Sequence, residues 1–280
     1  MGLRLAPADG SRDPRIEDPS NLYLVHATGR LLLPFALRAG ISANAVSITG
    51  LAIGAAAAMA YAHRTDWRLA TLGLLLCIAW LIADGLDGMI ARATKTSSAL
   101  GRALDGLCDH GVFFLLYFAL AWSIGTTEAW VLGTAAGIVH GIQSNLYEAE
   151  RTRFHRRIKG DPGGQPLAKS RNPLVRLYDA HMRLFDRWAV LFDRELESSP
   201  NPEQLGAAYG ERAVAPLKMM SLLSGNMRVL VIYLACLAGD PRLFWWFELI
   251  PQSLVAFGGI FWHRGVEATF VRESVSRFKA

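Results

Sequence analysis

Between Ala83 and Asp109 the chain sets four aspartates in apolar surroundings. Asp84 and Asp87 lie in the string Ala83-Asp84-Gly85-Leu86-Asp87-Gly88-Met89-Ile90-Ala91-Arg92, and Asp105 and Asp109 follow Gly101. The first two are three residues apart and the second two are four apart, and both spacings place carboxylates on one helix face, one turn from each other. The runs that carry them are long enough to cross a bilayer. There a single ionised aspartate costs about 2.5–3.5 kcal/mol even on the lenient insertion scale. No nearby cluster of basic residues would neutralise all four, whereas a pair of divalent ions would. Hard oxygen donors suit Mg2+ or Mn2+ and not a thiolate-bound metal. Two such helices, joined by the short loop near Lys95, are expected to face each other, with their ends open to a water-soluble ligand.

Other residues fit the same centre. Gly85, Gly88 and Gly101 expose backbone where a phosphate or a neighbouring helix can come close, and simple helix packing accounts for them equally. Arg92 and Arg102 are placed to hold phosphate oxygens, although positively charged residues also flank membrane spans for reasons of topology.

The elements that must position these groups follow from composition. The chain has 280 residues, 52% of them hydrophobic, with a positive mean hydropathy and a pI near 9.3. Its apolar residues gather in runs near the roughly 20 residues a membrane helix needs. The predicted fold is all-α, a polytopic bundle of six membrane helices over about 43–62, 69–90, 98–124, 128–146, 216–238 and 243–262. The first 20 residues are polar, with Arg4, Arg12 and Arg15, and do not read as a secretory signal; they are expected to form a flexible cytoplasmic N-terminus. Residues 21–42 suit an interfacial helix, with Leu32, Leu33, Phe35 and Leu37 beside Arg30 and Arg38, or an ordinary lead-in to the first span. Residues 149–213 form a cytoplasmic insertion: a basic stretch from Arg151 to Lys159, a break at Asp161-Pro162-Gly163-Gly164, then an amphipathic segment over about 174–194. Spans five and six and their flanks occupy 214–265, and a basic tail occupies 266–280. Arg and Lys collect on one side of the spans, which puts both termini and the insertion in the cytoplasm. Cys77, Cys108 and Cys236 all fall in apolar stretches and read as buried packing.

The string Asp84-x-x-Asp87-Gly88-x-x-Ala91-Arg92, eight residues, then Gly101-x-x-x-Asp105-x-x-x-Asp109 resembles the complete signature of the CDP-alcohol phosphotransferase family. The resemblance extends from about residue 25 to 265, and the 149–213 insertion is less typical of smaller members. It implies a membrane enzyme of phospholipid biosynthesis that moves a substituted phosphate, usually phosphatidyl, from a CDP-linked donor to an alcohol and releases CMP. It implies that Asp84, Asp87, Asp105 and Asp109 hold two Mg2+ or Mn2+ ions and that Asp109 is the general base. Gly88, Arg92 and Ser98 match positions that contact the CDP portion of the donor. Ile41-Ser42-Ala43-Asn44-Ala45-Val46-Ser47 resembles the family's Pro-Asn-x-x-Thr start of the first helix. Ala43 stands for the proline and Ser47 for the threonine, so Asn44 and Ser47 are further nucleotide contacts to be tested. The family also suggests a homodimer, CDP-diacylglycerol as donor, and a bacterial inner membrane as location.

The acceptor side is less defined. Arg228 in the fifth span is a candidate for an acceptor phosphate or carboxylate, against a structural pair with an acid. His140, near Gln143, Asn145, Tyr147 and Glu148, is a second candidate, against interhelical hydrogen bonding. Trp245, Trp246 and Trp262 read as interface anchors. Two other classes use buried acids. A transporter would spread them along a path, often in repeated halves, and a Mg2+-dependent membrane prenyltransferase would carry a second Asp-rich motif on another helix pair.

Overall fold

The computed structural model describes residues 12–163, 176 and 190–277, and every regular element among them is helical. A short π-helical turn, Asn21–Val25, leads into α1, His26–Arg38. Then follow α2, Ala43–Ala62; α3, Trp67–Ala93; α4, Ala99–Ile124; and α5, Thr127–Arg157. After them come α6, Val190–Ser198; α7, Pro202–Met220; α8, Gly225–Leu237; α9, Arg242–Phe247; and α10, Ser253–Arg277. The expected flexible N-terminus lies mostly outside the described residues, as does most of the amphipathic segment over 174–194.

Local chemistry sets the helix starts. The side chains of Ser42, Asp66, Ser98 and Asn201 each accept a backbone N–H of the following turn, at 3.2, 2.8, 3.0 and 3.2 Å, so one orphan donor of each helix is satisfied. Pro202 at the first position of α7 loses no hydrogen bond there. Gly125, with φ 74°, ends α4 in the left-handed conformation that a Cβ disfavours.

Among the described residues, five helical stretches are long and apolar enough to cross a membrane: Ala43–Ala62, Trp67–Ala93, Ala99–Ile124, Pro202–Leu237 and Arg242–Glu273. The chain is an all-α polytopic membrane protein. The expected fifth span is the second half of a helical run that starts at Pro202 and passes through a 3-10 turn at Ser221–Leu223. The expected fourth span lies within α5, which is not among the five. The reason is its polar residues: His140, Gln143 and Asn145 lower its mean hydropathy, and all three are buried within the protein.

The described residues fall into two compact units. The first comprises Pro19–Gly141 and Ser224–Pro251. Its core joins Tyr61, Trp80, Val112, Leu116, Leu120, Ile232, Phe244 and Trp245. Within it α2 packs along both α3 and α4. Small residues allow this approach. A Cβ at Gly54 would run into the Val112 side chain, so Gly54→Ala is expected to cost about 1–3 kcal/mol through overpacking, read as a lower unfolding midpoint in detergent. Trp245 belongs to this core at 0% exposure, packed against Gly133, which corrects its reading as an interface anchor. Trp246 and Trp262 are half exposed, at 49% and 48%. The three cysteines are buried and unpaired with one another.

The second unit comprises, among the described residues, those of 12–18, 142–223 and 252–277. Ile16, Phe154, Phe192, Tyr209, Leu217 and Phe270 form its main core, with Phe192 and Tyr209 stacked at 4.6 Å between centroids.

Candidate active site

The site is assembled on α2, α3 and α4. A five-residue turn, 94–98, joins α3 to α4. In it the Thr96 N–H bonds Ala91 O at 2.9 Å and the Lys95 N–H bonds Arg92 O at 3.2 Å. This is a Schellman ending with Lys95 at the left-handed position, φ 57°, usually taken by glycine. The turn reverses the chain, and Ser98 restarts it as α4.

Asp84 on α3 and Asp105 and Asp109 on α4 then bring one carboxylate oxygen each within 4.8 Å of the others. A hydrogen-bond contact joins Asp109 to Asp84. Asp87 is the least exposed of the four, at 4%, and has hydrogen-bond contacts with Asp105 and with Ser47 of α2. All four predicted acids thus belong to one connected cluster. The two acidic helices were expected to face each other with their carboxylates converging; Asp84 of α3 does meet Asp105 and Asp109 of α4, and each helix also packs on α2.

The donor set fits a hard divalent cation: several carboxylates at ion-sharing range, drawn from two helices in an apolar region. Three or four negative charges so close repel strongly unless protons or cations intervene.

The other predicted contacts cluster at the same end of these helices. A Cβ at Gly88 would lie 3.1 Å from Arg92 Nη1, so the missing side chain leaves room for the exposed guanidinium to fold back over the helix. A Cβ at Gly101 would sit 3.1 Å from Ser98 Oγ and 3.6 Å from Asn44 Oδ1, which places the start of α2 beside the start of α4. Asn44 and Ser98 are exposed, whereas Ser47 is buried at 7% and directs its hydroxyl to Asp87 Oδ2 at 2.5 Å.

A family model for CDP-alcohol phosphatidyltransferases matches residues 41–166. Over that stretch the chain is similar to a CDP-alcohol phosphatidyltransferase domain. The match opens just before α2 and takes in α3, α4 and α5, and so includes every residue of the acidic cluster. Transferases of this family draw on a CDP-alcohol donor, act on an alcohol acceptor and generally use divalent metals. No curated protein and no solved structure matches the chain.

Arg228 and His140, the two acceptor candidates, come together at a residue that the motif search passed over. Arg228 Nε donates to Glu248 Oε1 at 2.8 Å, with both side chains fully buried, and His140 Nδ1 lies 3.8 Å from the same oxygen. The signal for Glu248 was present: an acid embedded in Phe244-Trp245-Trp246-Phe247-Glu248-Leu249-Ile250 needs a partner. The acid partner also accounts for an arginine within an apolar span.

The second unit holds another acidic group, Glu150, His263 and Glu267, with ligand atoms within 4.8 Å of one another. Arginines occupy it. Arg153 reaches Glu150 at 2.6 Å, Arg264 bonds both Glu150 and Glu267, and Arg157 bonds Glu267. Three guanidiniums against two carboxylates leave no negative charge for a metal, so this is an ion-pair network. His263 links it to Tyr209 by a 2.6 Å hydrogen bond.

Proposed function

We propose that the protein is an integral membrane enzyme that transfers a phosphatidyl group from CDP-diacylglycerol to the hydroxyl of a small alcohol, with release of CMP. One observation carries this reading: carboxylates of Asp84, Asp105 and Asp109 converge from two helices inside the stretch similar to a CDP-alcohol phosphatidyltransferase domain.

Asp84, Asp87, Asp105 and Asp109 are the residues that would hold two Mg2+ or Mn2+ ions. When bound, such ions offset the charge of the diphosphate and of the departing CMP. In the transfer, the acceptor oxygen attacks the phosphorus that bears the lipid alcohol. The bond from that phosphorus to the bridging oxygen breaks, and CMP leaves with that oxygen. Asp109 takes the proton from the acceptor hydroxyl, a general-base role worth about 10²–10⁴ in rate. Arg92, exposed above Gly88, is placed to reach the diphosphate, and Asn44 and Ser98 hold the nucleotide end of the donor. Fixing donor and acceptor in one interfacial site converts a two-body encounter into a local step.

In the membrane, α5 supplies a sixth crossing, with its buried polar residues turned away from lipid. The exposed Tyr23, Leu24 and Phe35 at and before α1 rest in the cytoplasmic headgroup layer. Both termini are cytoplasmic in this arrangement, in the inner membrane of a bacterium, and two copies form a homodimer.

Purified protein in nanodiscs, given CDP-diacylglycerol and in turn glycerol phosphate, an inositol compound, serine or choline, tests the reading. CMP release is expected with one class of alcohol, abolished by EDTA and restored by Mg2+ or Mn2+. Release of pyrophosphate from a prenyl donor, or ion flux in proteoliposomes without any CMP, would replace it with the prenyltransferase or the transporter.

A further inference from the structure

We infer that Ser47 is a positioning residue for the Asp87 carboxylate, not a contact to the nucleotide; this rests on the metal-dependent reading of the acidic cluster. Among the four acids, Asp87 is the one outside the group of three whose oxygens lie within 4.8 Å of one another. Its carboxylate is free to rotate about its side-chain bonds unless something holds it. Ser47 Oγ lies 2.5 Å from Asp87 Oδ2, a short hydrogen bond from one helix to another. Asp87 also contacts Asp105, so a carboxylate fixed by Ser47 on one side is aimed into the cluster on the other.

Supply of protons and burial both argue against the competing role, in which Ser47 would donate to the nucleotide. A serine has one hydroxyl proton. That proton faces Asp87 Oδ2 and the Ala43 carbonyl, the latter at 3.2 Å, within one helix pair. Ser47 is 7% exposed, whereas Asn44, one turn earlier on α2, is exposed and stands beside Ser98 and Gly101. The short motif at the start of α2 therefore divides its labour: Asn44 faces the ligand, and Ser47 faces the acid that would ligate the ion. Partners behind a metal-ligating carboxylate typically govern metal affinity or activity by about 10–100-fold.

The test is a titration of Mn2+ into purified protein without donor or acceptor, followed by turnover at saturating metal. Ser47→Ala is expected to weaken Mn2+ binding about 10–100-fold with the KM for CDP-diacylglycerol unchanged once metal is saturating. Ser47→Thr keeps the hydroxyl and is expected to restore the affinity. An unchanged unfolding midpoint for Ser47→Ala in the absence of metal shows that the loss is not one of folding. If Ser47→Ala binds Mn2+ as the parent does and instead raises the donor KM, the residue contacts the nucleotide and the inference is overturned. It is equally overturned if Ser47→Thr fails to rescue a well-folded protein. Should the parent protein bind Mn2+ with this serine dependence yet release no CMP, the transferase reading fails and the positioning role stands.

Discussion

Asp109→Asn is expected to lower turnover by about 10²–10⁴ while leaving donor binding within a few fold of the parent. The amide keeps the size of the carboxylate but cannot accept the acceptor's proton. Asp109 is also part of the acidic cluster: it stands within 4.8 Å of Asp84 and Asp105 and contacts Asp84 directly. Its replacement removes one negative charge from the cluster, so some loss of metal affinity accompanies the loss of rate. Asp84→Asn separates the two effects, since it removes a ligand but not the base; metal titration is expected to weaken more for Asp84→Asn than for Asp109→Asn. The measurement is CMP release at saturating Mg2+ beside a Mn2+ titration of each variant. Full turnover in Asp109→Asn at saturating metal would take the base role from this residue.

Breaking the buried pair of Arg228 and Glu248 is expected to be the largest stability effect in the first unit. Both side chains are fully buried and meet at 2.8 Å. Arg228→Met leaves Glu248 as an uncompensated buried charge, a change that costs about 3–5 kcal/mol in comparable sites. The paired change Arg228→Met with Glu248→Met removes both charges and is expected to recover most of that loss. Thermal unfolding of the three variants in detergent reads this directly. The acceptor role makes a different demand: Arg228→Met would keep the unfolding midpoint and raise the acceptor KM. His140, at 3.8 Å from the same glutamate, belongs to the same comparison.

Much of the site was legible because its acids break a strong rule. Aspartate in a hydrocarbon-length helix is costly, so Asp84, Asp87, Asp105 and Asp109 announced themselves without a structure. Their spacing predicted one helix face for each pair, and the oxygens of three of them do meet. Long-range partners were not legible. Glu248 lies 20 residues from Arg228 and 108 from His140, and no periodicity links them. Trp245 looked like an interface anchor because sequence position near a span end says nothing about which way a ring turns; packing against Gly133 puts it inside. The polar residues of α5 depressed the hydropathy that was to mark a membrane span, and only burial explains how the helix accommodates them.

The residues alone determined the class of fold and the acidic chemistry of the centre, because each depends on local spacing and on the cost of charge in an apolar run. Tertiary structure decided how that centre is held. Gly54 and its small neighbours let α2 lie close against both acidic helices, and this close packing carries Ser47 to Asp87 across 40 residues of chain. A hydrogen bond between distant helices depends on the relative placement of two rigid rods, and that placement is set by packed side chains that no linear spacing records.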